Sequence, residues 1–213
     1  MKQGNKQKAG EVAKEDSRSG NRHSKREKVR HNEDNNCSLL AGSVWKTTNF
    51  HDHNVLVYPD LPTYRKIYSE STKQALDSNE IVFLVTTYDS FERVIDSLTQ
   101  AGISVNNETK EGNLIILDSV KVYQTDIHGA ANFATTLAKR AERDGKAGVF
   151  GLTEMGSFFI AERTSSLLKY EQSLSKKWDL NFKSTCTYHK VDFSSLSKQQ
   201  QEKILSAHNR VMP

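Results

Sequence analysis

The sequence predicts an α/β domain built on a mainly parallel sheet, and three observations carry that prediction. Residues 55–58 and 81–85 are near-unbroken apolar runs, the pattern of strands covered on both faces. Between them Tyr64, Ile67, Tyr68 and Leu76 recur at roughly helical spacing, so the stretch 53–89 reads as one parallel βαβ unit. The alternation then continues without internal repeats, and none of the three prolines divides the region 53–213. One three-layer domain is the economical reading.

Before that domain the composition changes. Residues 1–36 hold 10 Lys/Arg and 6 Asp/Glu, and the remaining 177 residues hold 20 of each, so the whole net charge of +4 sits in the first segment. That segment has no aromatic residue and few aliphatic ones, too little to offset chain entropy, and is expected to be a disordered basic tail. Its interspersed acids (Glu11, Glu15, Asp16, Glu27, Glu33, Asp34) weaken it as a nucleic-acid foot, and nucleic acid stays a weak expectation confined to the tail. The tail lacks the apolar core of a signal peptide, and 81–85, the longest aliphatic-aromatic run, is far too short to span a bilayer. Cys37 and Cys186, far apart, fit a reducing compartment, so no membrane partner and a cytoplasmic location are expected.

In chain order, residues 37–52 form a lead-in with Leu39, Leu40, Trp45 and Phe50 to pack. A second helix is expected over 89–101, capped by Asp89 or Ser90, with Phe91, Val94, Ile95 and Leu98 on one face and Gly102 at its end. Residues 103–105 read as a short strand, 106–112 as a polar turn, 113–118 as a buried strand and 120–126 as irregular. A helix over 130–143 ending at Gly145, a strand over 148–152, a long helix over 157–178, a strand over 185–188 and a helix over 198–208 complete the chain.

An ordered set of features carries a family resemblance. His53 lies five residues before Tyr58, Asn79-Glu80 precedes the second strand, and Gly112-Asn113-Leu114 opens a later one. Tyr170-Glu171 and Leu174 fall on the long helix, and Cys186-Thr187-Tyr188 with Asp192-Phe193 precede a closing helix that ends in His208. Over residues 50–212 this order resembles the MEDS domain, the sensory domain of methanogen and methylotroph regulators. The resemblance implies a RecA-like fold, similar to the circadian-clock KaiC ATPases, and a role in sensing a small molecule such as a hydrocarbon derivative. Family members are often fused to a DNA-binding or histidine-kinase module. Here there is no length for a kinase, and residues 1–50 do not read as helix-turn-helix. The expected partner is a separate regulatory protein, a histidine kinase or transcription factor. A RecA-like surface is also compatible with a homo-oligomer.

In open α/β sheets ligands bind beyond the carboxyl ends of the strands. That places a ligand site at Tyr58, Asp60, Thr86, Thr87, Tyr88, Asp89 and Glu154, with Met155 and Phe158 as apolar lining. His53 joins this set through the resemblance. Each member also has an ordinary reading as a turn or cap residue. A RecA-type ATPase needs a glycine-rich, lysine-bearing phosphate loop after the first strand. Residues 58–65 instead read Tyr-Pro-Asp-Leu-Pro-Thr-Tyr-Arg, with no glycine and an acid that repels phosphate. A non-catalytic sensor without cofactor is therefore the first expectation; a divergent ATPase or kinase-like enzyme of the RecA/KaiC class, using Asp118 or Glu154 as a metal-binding acid, is the alternative. Cys186 and His189, three apart on a strand, point to opposite faces and make a poor nucleophile pair. Zinc would draw on His51, His53 and Cys37 or Cys186, but no CxxC or HxxxH supports it, and no metal is expected. His208 reads as a packing or capping histidine.

Overall fold

Strands and helices alternate along the chain of the computed structural model, which describes Met1 and residues 44–125, 129–174 and 180–212. The elements are β1 (His53–Tyr58), α1 (Leu61–Asp77), β2 (Glu80–Thr86), α2 (Phe91–Gln100), α3 (Val105–Glu111), β3 (Leu114–Asp118) and α4 (Ser119–Thr125). They continue with α5 (Gly129–Arg143), β4 (Gly148–Glu154), α6 (Gly156–Ile160), α7 (Thr164–Ser173), β5 (Phe182–His189), α8 (Lys190–Ser195), α9 (Lys198–Ser206) and β6 (Arg210–Val211). All belong to one unit, Cys37–Pro213. The basic-tail reading of 1–36 lies outside the described residues.

The sheet has six strands in the order β3-β2-β4-β5-β1-β6, and each neighbouring pair is parallel. Strand side chains alternate between two cores. Val55, Ile81, Phe83, Val85, Val149, Cys186 and Tyr188 pack with residues of α4–α7 and α9. Leu56, Tyr58, Val82, Leu84, Phe150 and Leu152 pack with Tyr64, Ile67, Tyr68, Val94 and Leu98 of α1 and α2. This is the expected three-layer α/β architecture, and a sheet covered on both faces explains why its strands read as continuous apolar runs.

Local chemistry sets the helix ends. The Asp60 carboxylate accepts from the Thr63 N–H at 2.8 Å and caps α1, with Pro62 in the first turn. Ser90 caps α2. Val94 and Leu98 of that helix are buried as expected, but Phe91 is 57 % exposed. Phe91 is the first residue of α2.

Three stretches differ from expectation. Residues 103–105 are not a strand: Val105 opens α3, which Gly112 ends at φ +74°, and Ile103 and Val105 are buried from the entry to that helix. Residues 119–125 are helical. The long helix is broken, because Glu162 adopts φ +53° and α7 starts afresh among Thr164, Ser165 and Ser166; its expected end, 175–178, lies outside the described residues.

Part of the lead-in packs on the amino edge of the sheet. Lys183 Nζ pairs with Glu80 Oε1 at 2.9 Å, both side chains nearly buried, and the Trp45 indole N–H donates to Glu80 Oε2 at 3.0 Å. The same ammonium sits 4.4 Å and 4.8 Å from the ring centroids of Trp45 and Phe50.

Candidate functional site

Chain direction diverges at the carboxyl edge of this sheet. The helices after β1 and β2 cover one face, and those after β3, β4 and β5 cover the other. Neighbouring strands β3 and β2, β2 and β4, and β5 and β1 therefore send their chains to opposite sides, the arrangement beyond which ligands bind in open α/β sheets. The expected residues Tyr58, Thr86, Thr87, Tyr88, Asp89, Glu154 and Met155 stand at or just beyond the carboxyl ends of β1, β2 and β4. His53 does not, because it is the first residue of β1 and lies at the opposite end of that strand from Tyr58.

Glu154 is the centre of the strand-end group. It is 1 % exposed, and its Oε2 accepts from the backbone N–H groups of Thr87 at 2.5 Å and Tyr88 at 3.2 Å. Its Oε1 accepts from the Tyr58 hydroxyl in a very short bond. Burial raises the Glu154 pKa, and these three donors only partly oppose it. The loop between β2 and α2 then reaches outward. The Thr87 hydroxyl is 2.7 Å from that of Ser119 at the start of α4, and the Tyr88 hydroxyl donates to Asp192 of α8 at 2.5 Å. Asp89 accepts from Arg65 Nε at 3.0 Å and from the Tyr68 hydroxyl at 3.2 Å, both on α1. Three residues of one loop thus hold β4, α1, α4 and α8. Gly156 permits this packing, since a Cβ there would lie 2.5 Å from the Tyr88 ring and 2.8 Å from Thr87 Cγ2.

The remaining expectations resolve residue by residue. Asp60 is an exposed helix cap. Only Pro59 and Asp60 separate β1 from α1, and the carboxylate of Asp60 takes the N-terminal amide that a phosphate would use. Asp118 Oδ1 accepts from the Val120 N–H at 2.8 Å and caps a turn. Met155 is buried, and its N–H donates to the Thr187 carbonyl at 3.0 Å. His189 caps α8 by accepting from the Val191 N–H, on the other side of the sheet from the Cys186 sulfur.

A second constellation lies inside the core. His53, Glu171, Cys186 and His208 bring one potential ligand atom each to within 4.8 Å of one another. His53 Nε2 is 3.1 Å from Cys186 Sγ and 3.7 Å from Glu171 Oε2, and His208 Nε2 is 3.3 Å from that same oxygen. Burial, and then the neighbouring His208, lower the His53 pKa to about 4. Burial raises the thiol of Cys186, with Glu171 adding to the effect. Burial pushes the Glu171 carboxyl up, yet His208, His53 and the Tyr188 hydroxyl together hold it below its ordinary value. Sequence reasoning singled out each of the four but did not join them. His51, the zinc candidate beside His53, is exposed at φ +75°, and Cys37 lies outside the described residues.

Among the described residues no helix is long and apolar enough to cross a membrane. Similarity in backbone geometry is found to a KaiC-like protein from the hyperthermophilic archaeon Pyrococcus horikoshii, at 14% identity and a TM-score of 0.45, covering 65% of this chain and 61% of that one. The match spans about three fifths of the archaeal protein. No curated protein sequence matches the chain. A family model does: residues 52–209 match the methanogen/methylotroph DcmR sensory domain. Those bounds take in all of the domain from β1 through α9, so the chain belongs to the MEDS family and is a sensory or signalling domain.

Proposed function

We propose that this domain senses a small organic molecule, such as a hydrocarbon derivative, at the carboxyl edge of its sheet and relays the event to a regulatory protein. The observation that carries the reading is the β2–α2 loop, where Thr87, Tyr88 and Asp89 hold four elements through one set of hydrogen bonds. A ligand entering beyond the ends of β2 and β4 must displace the Tyr88 ring from Gly156, which frees Asp192 and shifts α8. Tyr58, Tyr88, Met155 and Phe158 supply an apolar wall, and Glu154 with the Thr87 amide supplies polar groups for a hydroxyl or carbonyl. Phe91, Ile160 and Val191, 57 %, 60 % and 69 % exposed, follow the carboxyl ends of β2, β4 and β5, and offer a partner apolar contacts at the same edge.

A ligand shifts two states only by its differential affinity, so binding must change stability or shape. The test is thermal unfolding of the full chain against a panel of short alcohols, aldehydes and halogenated alkanes, with native and denatured masses of the gently purified protein recorded beside it. A compound at 100 times its dissociation constant is expected to stabilise by about 2.7 kcal/mol, and Tyr88→Ala should abolish that response. A bare native mass together with no response to any compound overturns the proposal.

A further inference from the structure

We propose that His53, Glu171, Cys186 and His208 form a closed site for a zinc-class divalent cation, independent of the strand-end reading. Ligand bonds of about 2.0–2.3 Å at tetrahedral angles place ligand atoms about 3.3–3.7 Å apart. Three of the six separations are 3.1 Å (His53 Nε2 to Cys186 Sγ), 3.3 Å (His208 Nε2 to Glu171 Oε2) and 3.7 Å (His53 Nε2 to Glu171 Oε2), and all four atoms lie within 4.8 Å of one another, a cage that a bound cation would draw together. One thiol, two imidazoles and one carboxylate are a zinc donor set, complete without water or substrate, which marks a structural and not a catalytic centre.

Around three of the four ligands the surroundings are arranged as they are around bound metals, while His53 Nδ1 makes no hydrogen bond. His208 Nδ1 lies 2.7 Å from the Ile204 carbonyl oxygen, which selects the tautomer with the proton on Nδ1 and turns the Nε2 lone pair toward the cluster. Tyr188 donates to Glu171 Oε1, leaving Oε2 as the ligand atom, and the Thr153 hydroxyl donates to Cys186 Sγ at 3.5 Å. The four donors are nearly closed off from water, and Glu171 Oε2 and His208 Nε2, 3.3 Å apart with both side chains at 0–1 % exposure, meet only as an ion pair without hydrogen-bond geometry. Two acceptors facing each other in the dry interior are costly, and a cation between them would satisfy both.

The four ligands come from β1, α7, β5 and the turn after α9. His53 and His208 stand near the two ends of the domain, so a cation would clip the closing turn to the opening strand. The Asn209 Oδ1 accepting from the His53 N–H at 2.8 Å already marks that junction.

The test uses untagged full-length protein, unfolded in urea with a chelator and refolded with and without cobalt(II) or zinc(II). Cobalt should bind at one equivalent with tetrahedral d–d bands and a thiolate-to-metal charge-transfer band, and zinc should displace it and raise Tm by several degrees. Cys186→Ala trades a buried thiol for a methyl in a folded core. It should lose the charge-transfer band and at least tenfold in cobalt affinity while keeping its far-UV circular dichroism. The wild-type spectra decide the matter even if that variant fails to fold. Refolded wild-type protein that takes up neither metal at micromolar concentration, or binds cobalt without a thiolate band, overturns the site.

Discussion

The Glu154 carboxyl makes a pH experiment with a definite sign. Its two oxygens accept from Thr87 N–H, Tyr88 N–H and the Tyr58 hydroxyl, but burial outweighs those donors and raises its pKa above the ordinary 4.5. A carboxyl whose pKa is higher in the folded than in the unfolded chain binds its proton more tightly when folded. Its contribution to stability is complete below the unfolded pKa and is lost as pH rises through the folded one. Glu154→Gln keeps the shape, an acceptor for the two amides and a donor for the Tyr58 oxygen, and does not titrate. The stability of the wild type minus that of the variant should therefore fall from pH 4 upward. The fall is about 1.4 kcal/mol for each unit by which the pKa is raised, and it then levels off. Urea midpoints at half-unit steps between pH 4 and pH 8, with m-values, measure it, and the other titrating groups cancel in the difference. Glu154→Ala, which strands three donors at about 1–3 kcal/mol each, should be less stable than both at every pH. A difference that rises with pH would refute the reasoning, because the three donors would then be holding Glu154 ionised against burial; a flat difference refutes it too.

Two further outcomes follow from packing away from the strand ends. Lys183→Met leaves Glu80 buried without its 2.9 Å ammonium partner and should cost about 3–5 kcal/mol, whereas the double variant Lys183→Met, Glu80→Leu should recover most of that loss. Chemical denaturation of the four proteins of that cycle checks it, and additive losses would show that the two charges do not depend on each other. Gly151 pairs directly with Phe83 across β4 and β2, and a Cβ there would lie 2.4 Å from Phe83 Cε1. Gly151→Ala should destabilise by about 1–3 kcal/mol through displacement of that ring, and adding Phe83→Leu should recover part of it in the same assay.

The sheet was legible in the sequence because a parallel sheet buried on both faces leaves a local mark: 81–85 and 148–152 are apolar at every position or nearly so, and the chain reverses after each. The strand-end set was legible for the same reason, since every member but His53 sits within a few residues of the end of such a run. What local pattern could not supply was orientation over short spans. Ile103 and Val105 have the two-residue spacing of a strand, yet the entry to α3 buries both, and only tertiary packing distinguishes the cases. The break at Glu162 was invisible because Ile160, 60 % exposed, extends an apolar pattern that the core does not use. Phe91 misled in the same way: helical periodicity gives an azimuth, not a distance from the helix end.

The buried quartet was illegible for a different reason, and that reason bears on what it does. Metal motifs that can be read from sequence take two ligands from one turn or one helix, so that spacing alone preorganises half the site. Here no two of His53, Glu171, Cys186 and His208 share an element; β1, α7, β5 and the turn after α9 each bring one. Nothing local holds any pair together, so the fold must assemble the site, and a cation bound there would stabilise the assembled fold against every state in which those four elements separate. The strand-end loop has the opposite character. Its partners are hydrogen bonds at a half-buried edge, each worth about 1 kcal/mol net, which a ligand can exchange one for another. A cation clip at the junction of the first strand and closing turn, with ligand binding at the carboxyl edge, would confine ligand-driven movement to α8 and the β2–α2 loop. Hydrogen exchange should accordingly show the amides of Thr87 and Tyr88 changing protection on ligand addition, while those of Val55 and Cys186 stay unchanged.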